Sequence, residues 1–161
     1  MTGSIEYLVV LIMVANGAPI IIRNIMGDIA NCPLDAGKTL SDHYPVFGNS
    51  KTWRGLFASV VFTVIAALLL GYDFGFGLMV SVLAMVGDLL SSFIKRRLKL
   101  QTSRMALFLD QVPESLLPAL YMMQVLSLAW KDVLFIVAVF IVLELILSKI
   151  LYRLGIRQRP Y

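Results

Sequence analysis

Asp88 stands inside an apolar run, Phe74 to Ile94, that is followed at once by Lys95, Arg96 and Arg97. An ionised carboxylate in such a run costs about 2.5–3.5 kcal/mol on insertion scales, so membrane segments keep one where it serves a function. Asp110 and Glu114 repeat the pattern near the start of the next apolar stretch. They are four residues apart, share one helical face, and would repel if both were ionised and bare. A cation beside them removes that cost. The basic cluster lies between the two acidic places. Carboxylates that hold a divalent cation, set next to ammonium and guanidinium groups at a membrane edge, suit a guest that carries phosphates. Mg²⁺ is the expected ion, because it takes one or two carboxylates and completes its shell with phosphate oxygens and water.

Asp88, Ser92, Lys95 and Lys99 follow the spacing i, i+4, i+7, i+11 and so form one helical stripe. Asp88 lies about 10 Å from Lys95 along the axis. A plain Asp88–Lys95 structural pair, with the basic residues anchoring a helix end, is the competing reading. For Asp110 the competing reading is a helix N-cap, with Pro113 early in the helix. That reading leaves Gln111 and Glu114 without a reason. Asn16, Pro19 and Arg23 share a face of the first apolar stretch, and Gly17 with Pro19 marks a kink that either opens the helix around a bound group or serves packing. Lys51 and Arg54 flank Trp53 ahead of the second stretch, in position for phosphate or for snorkelling at an interface. Gly37-Lys38-Thr39 is not a P-loop, since Cys32 stands where the motif needs glycine. His43 reads as an exposed loop residue, Cys32 as a buried or idle thiol, and Glu144 as a helix contact or interfacial pair.

Five apolar stretches must position these residues. They run from about Ile5 to Ile22, Gly55 to Gly71, Phe74 to Ile94, Met105 to Trp130 and Val133 to Leu151. Each has the length to cross a hydrocarbon core of about 30 Å. Tyr72-Asp73 and Lys131-Asp132 read as tight turns between antiparallel neighbours. Arg23, Lys38, Lys51 and Arg54 fall between the first two stretches, Lys95, Arg96, Arg97, Lys99 and Arg104 between the third and fourth, and Lys149, Arg153, Arg157 and Arg159 close the chain. Basic loops stay in the cytoplasm. The expected architecture is therefore an all-α integral membrane protein of five transmembrane helices, N-terminus outside and C-terminus cytoplasmic. One long cytoplasmic loop, from about Gly27 to Arg54, joins helices 1 and 2, and its length marks it as functional.

Composition agrees. Of 161 residues, 59% are hydrophobic and 15% charged, with a mean hydropathy of +0.84. A soluble domain carries about 25% charged residues. The expected organisation is a single membrane domain over 1–161, with no cleavable signal and, with one cysteine, no internal disulfide. The net charge of +4 belongs to the loops, so no nucleic-acid partner is expected. Gly71, Gly75 and Gly77 offer close helix approach, and a homodimer is the expectation drawn from them.

Taken together, these segments resemble the CDP-archaeol synthase family, small membrane cytidylyltransferases distantly related to the phosphatidate cytidylyltransferases. The matching pieces are Asn16-Gly17-x-Pro19, Phe47-Gly48-x-x-Lys51-Thr52-x-Arg54-Gly55, Gly87-Asp88-x-x-x-Ser92-Phe93-x-Lys95-Arg96-Arg97 and Asp110-Gln111. They stand in the family's order from the first span into the fourth. The sequence departs from the family at 98–109, where members often have a Gly/Pro-rich stretch.

The resemblance implies a five-helix fold, Mg²⁺, and the reaction CTP + lipid phosphate → CDP-lipid + pyrophosphate, in a multi-pass protein of the cell inner (cytoplasmic) membrane whose active site faces the cytoplasm. It implies Asp88 and Asp110 as metal ligands and, with Lys95 and Arg96, as the catalytic set. Asn16, Pro19, Lys51, Arg54, Ser92, Arg97, Gln111 and Glu114 are the substrate-binding set. Two rivals fare worse. A CDP-alcohol phosphotransferase would show several Asp in an Asp-Gly-x-x-Ala-Arg context, which is absent. A small transporter or channel using Asp88 would need a polar path, yet the third stretch has only Ser81 between Phe74 and Met85, and the second only Ser59 and Thr63.

Overall fold

The computed structural model describes residues 2–100 and 108–155. Five helices follow one another: α1 (Thr2–Met26), α2 (Trp53–Leu69), α3 (Phe74–Arg97), α4 (Gln111–Val125) and α5 (Trp130–Arg153). The atypical stretch 98–109 lies mostly outside the described residues, as do Arg104, Arg157 and Arg159.

Local chemistry sets the helix ends. Thr52 caps α2, its hydroxyl accepting from the Gly55 N–H at 3.2 Å. α2 closes at Gly71, whose φ of +83° suits a residue without Cβ. Asp73 caps α3 by accepting from the Phe76 N–H at 2.8 Å, so the tight turn expected at Tyr72-Asp73 is present, within a connection that spans residues 70–73. Asp132 accepts from the Ala129 N–H at 2.9 Å at the start of α5. Lys95, Arg96 and Arg97 occupy the last turn of α3, where cations complement the helix dipole.

α1 is central and packs against the other four helices. The apolar core, with Leu8, Leu11 and Ile12 of α1, Val80 of α3, Met122 of α4, and Val133, Ile136 and Phe140 of α5, fills the half of the bundle opposite the basic cluster. Large apolar side chains point outward around it, among them Phe62, Leu69, Leu134 and Phe135. A bilayer solvates such a surface; water does not. α1, α3 and α5 are long and apolar enough to cross a membrane, consistent with an integral membrane protein.

α4 differs most from expectation. It covers Gln111–Val125, 15 residues, rather than Met105 to Trp130. That is about 22 Å of helix. It stops before Ser127, which adopts φ +52° in the turn to α5, and Trp130 opens α5 instead of closing α4. Gly77 also serves a purpose other than the one expected. A Cβ there would lie 2.7 Å from Ala67 Cβ and 2.9 Å from Val64 Cα, so its close approach joins α2 to α3 within one chain.

Candidate active site

The site begins with a glycine. A Cβ on Gly87 would lie 2.2 Å from the Pro113 carbonyl oxygen and 2.7 Å from the Glu114 nitrogen, so only glycine lets α3 touch the backbone of α4 here. The contact brings Asp88 against Glu114, and their side chains are within hydrogen-bonding contact. Lys51 enters from the long loop and places its Nζ 2.5 Å from both carboxylate oxygens of Asp88. Two turns further along α3, Lys95 Nζ lies 2.7 Å from Asp110 Oδ1. Lys95 and Arg96 are buried, and Arg96 is near enough to Asp110 to feel its charge. Burial pushes the Lys51 ammonium down, but the charges of Asp88, Glu114 and Asp110 outweigh it and hold Lys51 above the usual lysine range. One electrostatic cluster thus joins Lys51, Asp88, Lys95, Arg96, Asp110 and Glu114.

This pairing differs from both sequence alternatives. Lys95 binds Asp110, and Asp88 is paired across elements with Lys51. Asp110 occupies the N-cap position of α4 but has helical φ and ψ (−81°, −54°) and makes no side-chain capping bond. Its carboxylate serves Lys95 instead. Gln111 is fully buried; its Oε1 accepts from the Phe108 N–H at 2.9 Å, while its Nε2 has no partner among the described residues. Ser92 is buried. Ser91, which the sequence analysis passed over, donates to the Asp88 carbonyl at 2.9 Å. Lys99 leaves the expected stripe, because α3 ends at Arg97 and Lys99 turns away with φ +58° to lie 6.0 Å from the Tyr44 ring.

The long loop is built around Asp35, a residue to which the sequence pattern gave no role. Its buried carboxylate accepts from the N–H groups of Gly37 (3.1 Å), Phe47 (2.9 Å) and Gly48 (2.8 Å). Burial raises its pKa, but these donors outweigh burial and hold it below the usual carboxylate range. Leu34 N–H donates to Lys51 C=O at 2.8 Å, tying the Asp35 turn to the residue that reaches Asp88.

Arg97 is a loop anchor in this structure rather than a free phosphate ligand. It pairs with Asp42 at 2.7 Å and donates to the carbonyls of Tyr44 (3.3 Å) and Pro45 (2.7 Å). Slight desolvation raises Asp42, but the Tyr44 N–H and Arg97 hold its pKa below the usual value. Arg54 likewise donates to the carbonyls of Gly27 and Ile29 and fixes the exit from α1. Both guanidinium groups position the loop that delivers Lys51.

On α1, Pro19 packs on Gly55, whose Cβ position is 3.3 Å from Pro19 Cβ, and Asn16 Nδ2 donates to the Ile12 carbonyl at 3.1 Å. Glu144 of α5 stands close enough to Glu114 to act on it electrostatically, which makes it a helix contact as expected. Cys32 is exposed rather than buried.

Among the described residues, no three or more His, Cys, Asp or Glu side chains gather as an all-protein metal cage. The chemistry of the donor set fits Mg²⁺ all the same. A hard ion that relies on substrate phosphates needs one or two carboxylates. Asp88, paired with the Lys51 ammonium and adjoining Glu114, and Asp110 nearby supply acidic oxygens and the positive charge that phosphates would meet.

Comparison with known proteins agrees with this geometry. The family model described as CarS-like, CDP-archaeol synthase, matches residues 4–161. The chain is 32% identical to the CDP-archaeol synthase of Sulfurisphaera tokodaii over 155 residues, covering 92% of this chain and 90% of that protein. It is 37% identical to the CDP-archaeol synthase of Hyperthermus butylicus over 106 residues, covering 62% of this chain and 60% of that one. A solved structure of an intramembrane enzyme for archaeal membrane lipid biosynthesis superposes with a TM-score of 0.71 at 27% identity, covering 88% of this chain and 90% of that chain. By the match of the family model to nearly its whole length, this chain belongs to the CDP-archaeol synthase family.

Proposed function

We propose that this protein transfers CMP from CTP to a membrane lipid phosphate, giving a CDP-lipid and pyrophosphate. The single observation behind this reading is the cluster in which Lys51, Lys95 and Arg96 meet Asp88, Asp110 and Glu114 at the junction of α3, α4 and the long loop. An oxygen of the lipid phosphate attacks the α-phosphorus of CTP, the new P–O bond forms in line with the bond to the β-phosphate, and pyrophosphate leaves. No covalent enzyme intermediate is required. The protein positions two anions and neutralises the charge that develops between them.

Asp88 and Asp110 are the metal ligands in this reading, with Glu114 adjoining. They would hold Mg²⁺ there, and the ion would supply charge that screens the phosphates and the leaving group. The ammonium groups of Lys51 and Lys95 exchange carboxylate partners for phosphate oxygens as substrate enters, and Arg96 adds a fixed charge. Gln111 Nε2 donates a hydrogen bond to a substrate oxygen, while Ser92 and Asn16 orient the guests. Arg54 and Arg97 hold the loop closed over the site.

The basic ends of α1, α3 and α5 face the cytoplasm in this reading, so CTP arrives from water while the lipid arrives within the leaflet. The protein crosses the cytoplasmic membrane several times, N-terminus outside. The test is detergent-purified protein with labelled CTP, Mg²⁺ and a panel of lipid phosphates that includes an unsaturated archaeal ether lipid phosphate and phosphatidate. Labelled CDP-lipid with at least one acceptor is expected. No product with any acceptor, together with solute flux in liposomes, would replace the reading with transport.

A further inference from the structure

The two carboxylates assigned to the metal are both held by lysines. Lys51 Nζ lies 2.5 Å from each oxygen of Asp88, and Lys95 Nζ lies 2.7 Å from Asp110 Oδ1. The pairs belong to one cluster, because Lys95 also acts on Asp88 through its charge, and Asp110 acts on Lys51. Neither is a surface pair. Side-chain exposure is 21% and 18% for Lys51 and Asp88, and 10% and 14% for Lys95 and Asp110. Water therefore screens them little, while one side stays open to a guest.

Charge decides what such a cluster admits. Lys51, Lys95 and Arg96 oppose Asp88, Asp110 and Glu114, so the cluster neutralises itself. A bare divalent cation would leave surplus positive charge in a region shielded from water. The two ammonium groups would also have to leave their carboxylates with no anion to receive them. When the cation comes bound to a triphosphate, the guest is a net anion. Lys51 and Lys95 then have phosphate oxygens to turn to as they release Asp88 and Asp110.

The fold leaves this exchange to the side chains. Lys51 N–H donates to Gly48 C=O at 3.1 Å, its C=O accepts from Leu34 N–H at 2.8 Å, and Trp53 N–H donates to Cys32 C=O at 3.1 Å. These bonds pin the backbone on both sides of Lys51, and Lys95 is fixed in the last turn of α3. Each lysine keeps a flexible four-carbon stem and a rotatable ammonium, suited to changing partners.

We propose that Lys51 and Lys95 form a latch that keeps free divalent cation off Asp88 and Asp110, so that the site takes its nucleotide as a preformed metal–triphosphate complex. This inference rests on the cytidylyl-transfer reading for the metal ligands and the nucleotide. Metal and phosphate affinities are then coupled, each raising the other by the same factor. Lys51 carries the larger share, since it faces both oxygens of Asp88. Return of the ammonium groups to the carboxylates, as pyrophosphate departs, releases the ion with it.

The test measures Mn²⁺ binding to the purified full chain without nucleotide, from the free-ion signal in electron paramagnetic resonance. Lys51→Met should bind Mn²⁺ at least about tenfold more tightly than wild-type, within the ~5–150-fold range of coupling between sites. Lys51→Arg should bind it as weakly as wild-type, and Asp88→Asn added to Lys51→Met should abolish the gain. Lys51→Met with no gain, or a gain that survives Asp88→Asn, overturns the latch. An equal gain in Arg96→Met would trace the effect to net charge and overturn it too. Should Lys51→Met fail to fold, the wild-type melting temperature decides: Mn²⁺ and pyrophosphate together should raise it, and Mn²⁺ alone should not. An equal rise with Mn²⁺ alone, or none with the pair, overturns the latch. The predicted Mn²⁺ gain in a protein that makes no CDP-lipid would leave the latch standing and remove the transfer reading. CDP-lipid synthesis with unchanged Mn²⁺ affinity would do the reverse.

Discussion

Gly87→Ala is the most informative single change. The added carbon would sit 2.2 Å from the Pro113 carbonyl oxygen, 2.5 Å from its carbon and 2.7 Å from the Glu114 nitrogen, whereas ordinary contact begins at 3.4 Å. All three neighbours are backbone atoms, so no side chain can rotate away. α4 must retreat from α3 by about 1 Å to restore a normal separation. That retreat carries Glu114 and Asp110 away from Asp88 and Lys95. A displacement of about 1 Å in a catalytic array costs about 100-fold in rate, equivalent to about 2.7 kcal/mol of transition-state stabilisation. Overpacking of this kind also costs about 1–3 kcal/mol of stability. The assay is transfer of label from CTP to lipid, reported as kcat/KM, beside the melting temperature in detergent. Val86→Ala is the control, because Val86 is the preceding residue of α3 and faces outward; it should change neither value appreciably. Gly87→Ala with wild-type kcat/KM and melting temperature would refute the claim that close α3–α4 contact builds the site.

Three other outcomes follow from the same geometry. Lys95→Met leaves the Asp110 carboxylate without its 2.7 Å partner; breaking a buried pair from one side costs about 3–5 kcal/mol, so both the melting temperature and CTP turnover should fall, and an unchanged melting temperature would show that the pair is not formed. Asp35→Ala removes the acceptor for the N–H groups of Gly37, Phe47 and Gly48, at about 1–3 kcal/mol for each donor left unsatisfied; proteolysis between α1 and α2 should accelerate and KM for CTP should rise, and an equally resistant loop would contradict the role of Asp35. Asp35 and Asp42 have lowered pKa values in the folded loop, so their stabilisation is fully present above the unfolded carboxylate value of about 3.9 and is lost as pH falls through the folded values. Loop proteolysis should be flat from about pH 7 to pH 5 and increase only below about pH 4, and loosening between pH 7 and pH 5 would point to another group.

The helices that cross a membrane were the most legible part of the chain. The α3 boundary at Phe74 and its basic end are plain in the sequence, because a long apolar run bounded by a capping Asp73 and three cations leaves little choice. α4 was read too long, since hydropathy continues through Leu109 and again to Trp130, while the helix is set by the turns at either side of Gln111–Val125. The acidic members of the site were visible as charges in apolar runs. Their partners were not. The pairing of Lys51 with Asp88 joins residues 37 positions apart, and no periodicity within either element encodes it. The same holds for Arg97, whose position beside Lys95 and Arg96 suggested phosphate, while Asp42 and the Tyr44 and Pro45 carbonyls claim its guanidinium. Asp35 looked like one polar loop residue among several. Its place between Gly37 and the Phe47-Gly48 pair is legible only once the loop has folded back on itself.

The account stands on Asp88 belonging to a centre that moves a cytidylyl group. The direct measurement follows α-labelled CTP into the lipid fraction, with pyrophosphate release measured in the same reaction, for wild-type protein and for Asp88→Asn. The expected result is one pyrophosphate per labelled lipid in wild-type and a loss of at least about 100-fold in Asp88→Asn, the scale at which removing one electrostatic element of an active site is felt. Label transfer by Asp88→Asn at the wild-type rate would contradict the account.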